Sequence, residues 1–231
     1  MDSIWAVPFS FPGVNRVRCL FSTSASGDMS ATAGGENKQH FMNKAGFSYW
    51  AELHQVHGSV IVEGQQGTPD QPILPQADGQ YTLSRSVGLI IKTADCQPLL
   101  LARKDGGAIA ALHVGWRANA ANFPDSAVKR LCREFSCQPR DLVAVRGPSL
   151  GPVAAEFVNF HDEWPKVFEP WFNPQDKTVN LWALTRHQLH EAGIRREDIF
   201  GIDMCTRDTR DFFFSYRRKD TGRQASVIWM E

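Results

Sequence analysis

Residues 87–114 read VGLIIKTADCQPLLLARKDGGAIAALHV, and the reading of this stretch decides the fold. Two aliphatic runs, 87–92 and 98–102, flank the polar tetrapeptide Thr93-Ala94-Asp95-Cys96. Apolar runs of that length bounded by turn residues predict strands. Asp105-Gly106-Gly107 is a hairpin signal, because glycine reaches the positive φ that tight turns require, and residues 108–114 return as a third strand ending at Gly115. Cys96 then sits at a strand end, and His113 lies 17 residues later across the hairpin from it.

Outward from this core the signals alternate between strand and helix. Residues 50–57 and 59–63 read as two strands broken at Gly58, followed by a Pro/Gln/Gly loop over 64–75. Downstream, Asp125 or Ser126 can cap a helix whose apolar positions Val128, Leu131, Cys132 and Phe135 recur at helical spacing. Residues 142–145 form a short strand that leads into Gly147-Pro148-Ser149-Leu150-Gly151-Pro152, a loop whose path the prolines fix. A second helix runs from an Asn180 cap through Leu181, Leu184 and Leu189 to a stop at Gly193. Strand-like pieces follow at 199–206, 211–216 and 225–229. Upstream, 15–23 reads as a strand, and the Ser/Ala/Gly/Thr-rich 24–35 has no period and reads as an exposed or mobile loop. Many strands with interspersed helices and no strict alternation predict a mixed α/β (α+β) class.

Composition narrows the function classes. A chain of 231 residues is the size of one domain and can bury ~70–75% of its unfolded surface, so 1–231 is read as a single domain. Lys plus Arg equals Asp plus Glu at 25 each, which leaves no basic field for nucleic acid or an anionic membrane. Residues 1–7 lack a cationic run with an apolar stretch behind it, and no segment approaches the ~20 apolar residues of a membrane span. Five widely spaced cysteines suggest no disulfide framework, and a reducing cytoplasmic setting is expected. A small-molecule substrate is the remaining kind of partner.

The chemistry-bearing residues are few. On a strand His54 and His57, three apart, point to opposite faces, so one of the two can face a given site; spacing alone does not choose. Cys96 after Asp95 is a candidate thiolate, and His113 a candidate neighbour. Arg117 can clamp an anion through its planar fork, while Arg217 and Arg218, adjacent on an expected strand, cannot both face one pocket. Cys205 reads as a small buried hydrophobe.

Six strings in one order make these residues more specific: Gln55-Val56-His57-Gly58, Ala77-Asp78-Gly79, Thr93-Ala94-Asp95-Cys96, His113-Val114-Gly115-Trp116-Arg117, Gly147 to Pro152, and Phe213-Phe214-Ser215-Tyr216-Arg217-Arg218. The tail Thr221-Gly222-Arg223-Gln224-Ala225-Ser226 continues the match. In that order they resemble the laccase-domain family, also called the polyphenol oxidase or purine nucleoside phosphorylase family. The resemblance implies a β-sandwich-like core flanked by helices, four layers in the order α/β/β/α. It implies that His57, Cys96 and His113 bind a metal and are catalytic, with His54 structural. It also places Glu156, Asp78 and Arg117 as substrate-binding candidates, Asp78 and Asp95 being able to orient a ligating imidazole as well.

The activity implied is a metal-dependent purine nucleoside enzyme: phosphorolysis of adenosine, inosine and methylthioadenosine, with adenosine deamination beside it. Two imidazoles and a thiolate suit a borderline-soft ion, zinc first and copper second. Two other activities attach to the same family. One is a cysteine-dependent amide hydrolase that edits a peptidoglycan precursor; the other is copper-dependent phenol oxidation. A trinuclear copper cluster with a blue site needs many more histidines than the seven in this chain, so any copper chemistry here is mononuclear.

Overall fold

The computed structural model describes residues 4–231. Among them the strands are β1 (Ala6–Phe9), β2 (Val17–Ser22), β3 (Tyr49–Ala51), β4 (Ile61–Glu63), β5 (Gly79–Thr82), β6 (Val87–Thr93), β7 (Gln97–Arg103), β8 (Ile109–Val114), β9 (Leu142–Arg146), β10 (Phe172–Asn173), β11 (Thr178–Val179), β12 (Ile199–Gly201) and β13 (Gln224–Met230). The α-helices are α1 (Gly35–Ala45), α2 (Trp116–Ala120), α3 (Phe123–Glu134), α4 (Phe160–Glu163) and α5 (Leu181–Glu191). One sheet has the order β1-β2-β13-β6-β3 and a second β12-β9-β7-β8-β5-β4, with β10 and β11 paired separately.

Strand alternation explains how the two sheets stack. Leu89 and Ile91 of β6 join Leu100 and Ala102 of β7 in a cluster built from both sheets, whereas Ile90 turns outward to Phe41 and Met42 of α1. Leu99 and Leu101 turn to the other outer face, where Val128 and Leu131 of α3 and Leu189 of α5 cover them. The layers therefore run α1, five-stranded sheet, six-stranded sheet, α3 with α5. Burial on both faces is why 87–92 and 98–102 read as continuous apolar runs. Each of these leucines and isoleucines, fully buried, contributes ~1.5–3 kcal/mol of transfer free energy.

Helix α5 forms as its sequence predicts: Asn180 Oδ1 accepts from Ala183 N at 2.9 Å, and Gly193 leaves the helix at φ +100°. Helix α3 starts at Phe123 and not at the expected Asp125 or Ser126, since Asn122 turns left-handed (φ +54°) and Pro124 fits the first turn, where no N–H is needed.

Three expectations are corrected. Residues 52–57 do not continue a strand. Gln55 instead pairs its side-chain amide with the Lys92 backbone, Oε1 accepting at 2.9 Å and Nε2 donating at 2.8 Å, which replaces a ladder partner at that edge of β6. Residues 24–30 are not an exposed loop but a 3-10 turn and a segment packed against the chain, exposure being confined largely to 31–34. Ser24 N donates to Phe212 O at 2.7 Å, Met29 N to Arg223 O at 2.9 Å, and Met29 is fully buried. Residues 211–216 are turn and 3-10 structure, with Arg218 donating to the carbonyls of Thr206, Arg207 and Phe213, so a side chain satisfies backbone that a ladder would otherwise hold.

Candidate metal centre

The sheet register brings Cys96 and His113 together. Pro98 on β7 lies opposite His113 on β8, so Cys96, just before β7, meets the imidazole at the same end of the hairpin. His57 arrives from the loop between β3 and β4, at φ +59°, a conformation rare for a residue with a Cβ. The ligand-capable atoms of His57, Cys96 and His113 all lie within 4.8 Å of one another, and among the described residues they form the one His/Cys/Asp/Glu group able to hold an ion. Gly115 keeps the centre open: a Cβ there would stand 3.2 Å from both Cys96 Sγ and His57 Nδ1.

Asp78 holds the two histidines at once. Its fully buried carboxylate accepts from the backbone N–H groups of Val56 (3.2 Å), His57 (2.9 Å) and Gly58 (2.6 Å). It also accepts from His113 Nδ1 at 2.7 Å, which fixes the tautomer and turns the Nε2 lone pair to the cluster. Burial alone would push the Asp78 pKa up; the bonds from His113, Gly58 and Val56 outweigh it and hold the carboxyl below its usual range.

The thiol and imidazole shift each other. Burial pushes the Cys96 thiol up, but His113 and His57 beside it bring it down to about 6. Burial pushes His113 down, and the Cys96 charge together with Asp78 raises it to about 9. Without a metal each group thus favours the charged form of the other, thiolate beside imidazolium. Either way Cys96 is the anionic donor.

A cavity of about 760 Å³ opens on this cluster. Trp116, Phe157 and Tyr216 give it aromatic surface, and Arg117 lines it with its guanidinium 4.2 Å over the Trp116 ring. Asp95 borders it at φ +91°, its oxygens accepting from Thr206 Oγ1 (2.7 Å) and Arg217 N (2.8 Å).

A family model described as multi-copper polyphenol oxidoreductase laccase matches residues 21–231. The chain belongs to this family. Its similarity to curated proteins adds a named activity. A Haemophilus influenzae protein named purine nucleoside phosphorylase is 34% identical over 189 residues, 78% of this chain and 73% of the relative. The Escherichia coli purine nucleoside phosphorylase YfiH is 34% identical over 185 residues, 77% of this chain and 72% of the relative. Among solved structures, YlmD from Geobacillus stearothermophilus superposes with TM-score 0.84 at 21% identity, over 100% of this chain and 98% of that one. Neisseria meningitidis protein NMB0706 gives 0.83 at 24% identity, over 99% and 100%. At those identities the likeness establishes the fold.

Within this laccase-family chain, the remaining expected residues divide. His54 lies outside the three-residue group yet lines the cavity, on a segment that is not a strand. Arg217 lines the cavity and Arg218 does not, because Arg218 is spent on carbonyls and Asp220. Two substrate-binding candidates are not among the residues that line the cavity. Glu156 is exposed and off the cavity wall, its carbonyl accepting from Arg217 Nη2 at 2.7 Å, and the neighbouring Phe157 faces inward instead. Asp78 has no surface with which to meet a substrate and acts through the histidines. Cys205 stays out of the cluster, its sulfur accepting from Gly151 N at 3.2 Å. Sequence reasoning missed Ser30, Thr32, Lys92 and Arg223 as cavity residues. The Arg223 signal was present in the quoted tail; the others sit in segments with no motif.

The described residues contain no helix long and apolar enough to cross a membrane.

Proposed function

We propose that the chain is a single-domain purine nucleoside phosphorylase whose reaction centre is one metal ion held by His57, Cys96 and His113. The observation that carries this reading is the convergence of three ligand atoms within 4.8 Å at the floor of a cavity, in a chain 34% identical to proteins of that name. The donor set fits the ion. Two imidazoles and a thiolate suit zinc, and copper accepts the same donors. Zinc in a site with three protein ligands supplies Lewis acidity and lowers the pKa of water to ~7.

The chain's own groups set up the rest. Arg117 offers its fork to phosphate, with its guanidinium 4.2 Å over the Trp116 ring. Trp116, Phe157 and Tyr216 offer ring faces to a purine. Asp78 fixes the orientation of both imidazoles. Adenosine, inosine and methylthioadenosine are the nucleosides proposed, with deamination of adenosine as a second outcome of activated water. Chromatography of adenosine incubated with and without phosphate is the test. Adenine and ribose 1-phosphate that require phosphate support the reading, inosine without phosphate supports deamination, and unchanged adenosine in both arms refutes it.

One observation favours a second reading. Asp78, His113 and Cys96 also line up as orienter, imidazole and low-pKa thiol, the arrangement of a cysteine hydrolase. Metal content of protein purified without added metal separates the two, because a thiolate bound to zinc is a poor nucleophile. One zinc per chain supports the metal centre; full activity in metal-free protein supports the hydrolase.

A further inference from the structure

His113 reaches the cavity on β8 and Cys96 from just before β7, while Lys92 on β6 and Arg223 just before β13 line it with Ser30 and Thr32. Lys92 on β6 stands in register with Ala225 on β13. Arg223 lies just before β13, at the end of this ladder where Gln224 pairs with Thr93. Two cations from adjacent chain segments thus face one part of the cavity.

The cavity wall carries more cation than anion, Lys92, Arg117, Arg217 and Arg223 lining it against the one carboxylate of Asp95. Glu52 accepts from Lys38 Nζ at 3.2 Å, from Trp50 Nε1 at 2.6 Å, and from Lys92 Nζ. Two ammonium groups share one carboxylate, with the side chains of Lys38 and Lys92 only 4% and 11% exposed. Arg223 adds a further charge. Its Nη1 donates to the carbonyls of Thr221 (3.0 Å) and Gly222 (2.8 Å), and among the described residues no carboxylate reaches its guanidinium. Asp28 lies close, its carboxylate accepting from the backbone N–H groups of Ser30 (2.8 Å) and Arg223 (2.9 Å) and from Ser30 Oγ (2.9 Å). On the cavity wall itself the one carboxylate is Asp95, with both oxygens bonded. An excess of cation lining a concave wall favours an anion from outside.

We propose that Lys92 and Arg223 form an oxyanion subsite for a phosphate monoester borne by the substrate itself, separate from the free phosphate assigned to Arg117. The substrate class is then a phosphorylated nucleoside such as a nucleoside 5′-monophosphate. The cavity, at about 760 Å³, is in the upper part of the ~300–1,000 Å³ range of ligand pockets and has room for an anion at each end of a nucleoside. The base and sugar in this assignment rest on the nucleoside reading above; the anion does not.

Isothermal titration of the zinc-supplemented full chain tests it, with adenosine 5′-monophosphate against adenosine and ribose 5-phosphate against ribose. Each phosphorylated probe should bind about tenfold tighter than its neutral partner, the worth of one charge-assisted contact. Arg223→Gln should bring both ratios close to one. Equal affinities in the wild type overturn the proposal, and so do ratios that survive Arg223→Gln. Inorganic phosphate binding to the adenosine complex that is lost in Arg223→Gln but kept in Arg117→Gln assigns the subsite to free phosphate and also overturns it. If no nucleoside is turned over, the nucleoside reading falls, while a tenfold preference for ribose 5-phosphate over ribose in the wild type still upholds the subsite.

Discussion

Cys96 and His113 reach the cluster on neighbouring strands, whereas His57 reaches it from a loop. His113 is 3% exposed, paired in register with Pro98, and its backbone N donates to Asp78 O at 2.7 Å. His57 is exposed, sits at φ +59°, and is tied through its backbone N–H to the Asp78 carboxylate. A ladder positions a ligand as a by-product of folding; a strained loop needs a dedicated anchor. One buried carboxylate serves both, so the strand-built side should tolerate its loss better than the loop-built side.

The largest effect is expected at the strand-built side itself. Cys96→Ala removes the one anionic donor of the cluster. Loss of a residue that merely orients a ligand costs ~10–100-fold, so loss of the ligand should lower turnover more than ~100-fold. Cys96 is only partly buried and precedes β7, outside the apolar run, so the melting temperature should move little. Product analysis in metal-defined buffer, beside a thermal melt, measures both. Wild-type turnover in Cys96→Ala would remove the metal and thiolate readings together.

A second contrast sets Cys96 against the thiol of Cys132. In metal-free protein at pH 7, Cys96 at about 6 is mostly thiolate, and Cys132, pushed up by burial and by Cys137 to about 12, is not. Allowing for the lower nucleophilicity of a low-pKa thiolate, iodoacetamide should label Cys96 about 100-fold faster. The labelling rate should hold above pH ~6 and fall below it, as the thiolate is protonated, and zinc should protect. Peptide mass spectrometry reads the ratio. Equal labelling of the two would mean the imidazoles do not stabilise the Cys96 anion.

Asp78→Ala tests the shared anchor. It strands three backbone donors and His113 Nδ1, so zinc affinity should drop ~10–100-fold and stability by ~2–5 kcal/mol. The folded Asp78 pKa is depressed, so its stabilising contribution is complete above the unfolded value of ~3.9 and is lost as pH falls through the folded one. Urea denaturation of both proteins at pH 7 and at pH 3 should show the gap narrowing at the lower value. Crystals of the variant should show His57 displaced further than His113. Equal displacement would end the distinction between strand and loop.

That distinction also governs how much was legible in the sequence. Strands 87–92, 98–102 and 108–114 could be read because the helices on one side and the facing sheet on the other require apolar residues at every position. Cys96 and His113 came with them. His57 was placed through family strings, because Gln55 mimics a strand residue with its side chain and no periodicity records that. The wall made by Ser30, Thr32 and Lys92 stayed hidden for the same reason. Helix α1 buries Lys38 beside Phe41 and Met42, and a lysine drawn inward by Glu52 looks like surface in a one-dimensional pattern. Glu156 rested on the resemblance alone, and the chain there turns Phe157 to the cavity.

The smallest effect is expected far from the cavity, at Cys132→Ala. Cys132 lies on α3 and packs, partly buried, against the cluster that holds Leu131, Phe135 and Leu142. Removing one sulfur from a half-buried site forfeits ~1 kcal/mol or less of transfer free energy, and partial exposure lets neighbours or water close the gap. Cys132 shares no hydrogen bond with the cavity; its carbonyl accepts from Cys137 N at 3.0 Å, which terminates α3, and an alanine keeps that bond. Turnover should stay within about twofold of wild type, and the melting temperature should fall by only a few degrees. The substitution therefore keeps the chemistry that Cys96→Ala removes, while folding survives in both. A large loss of turnover in a folded Cys132→Ala protein would show that α3 is coupled to the strand ends. The strand-built side of the cluster would then depend on packing behind the sheet as much as on the register of β7 and β8.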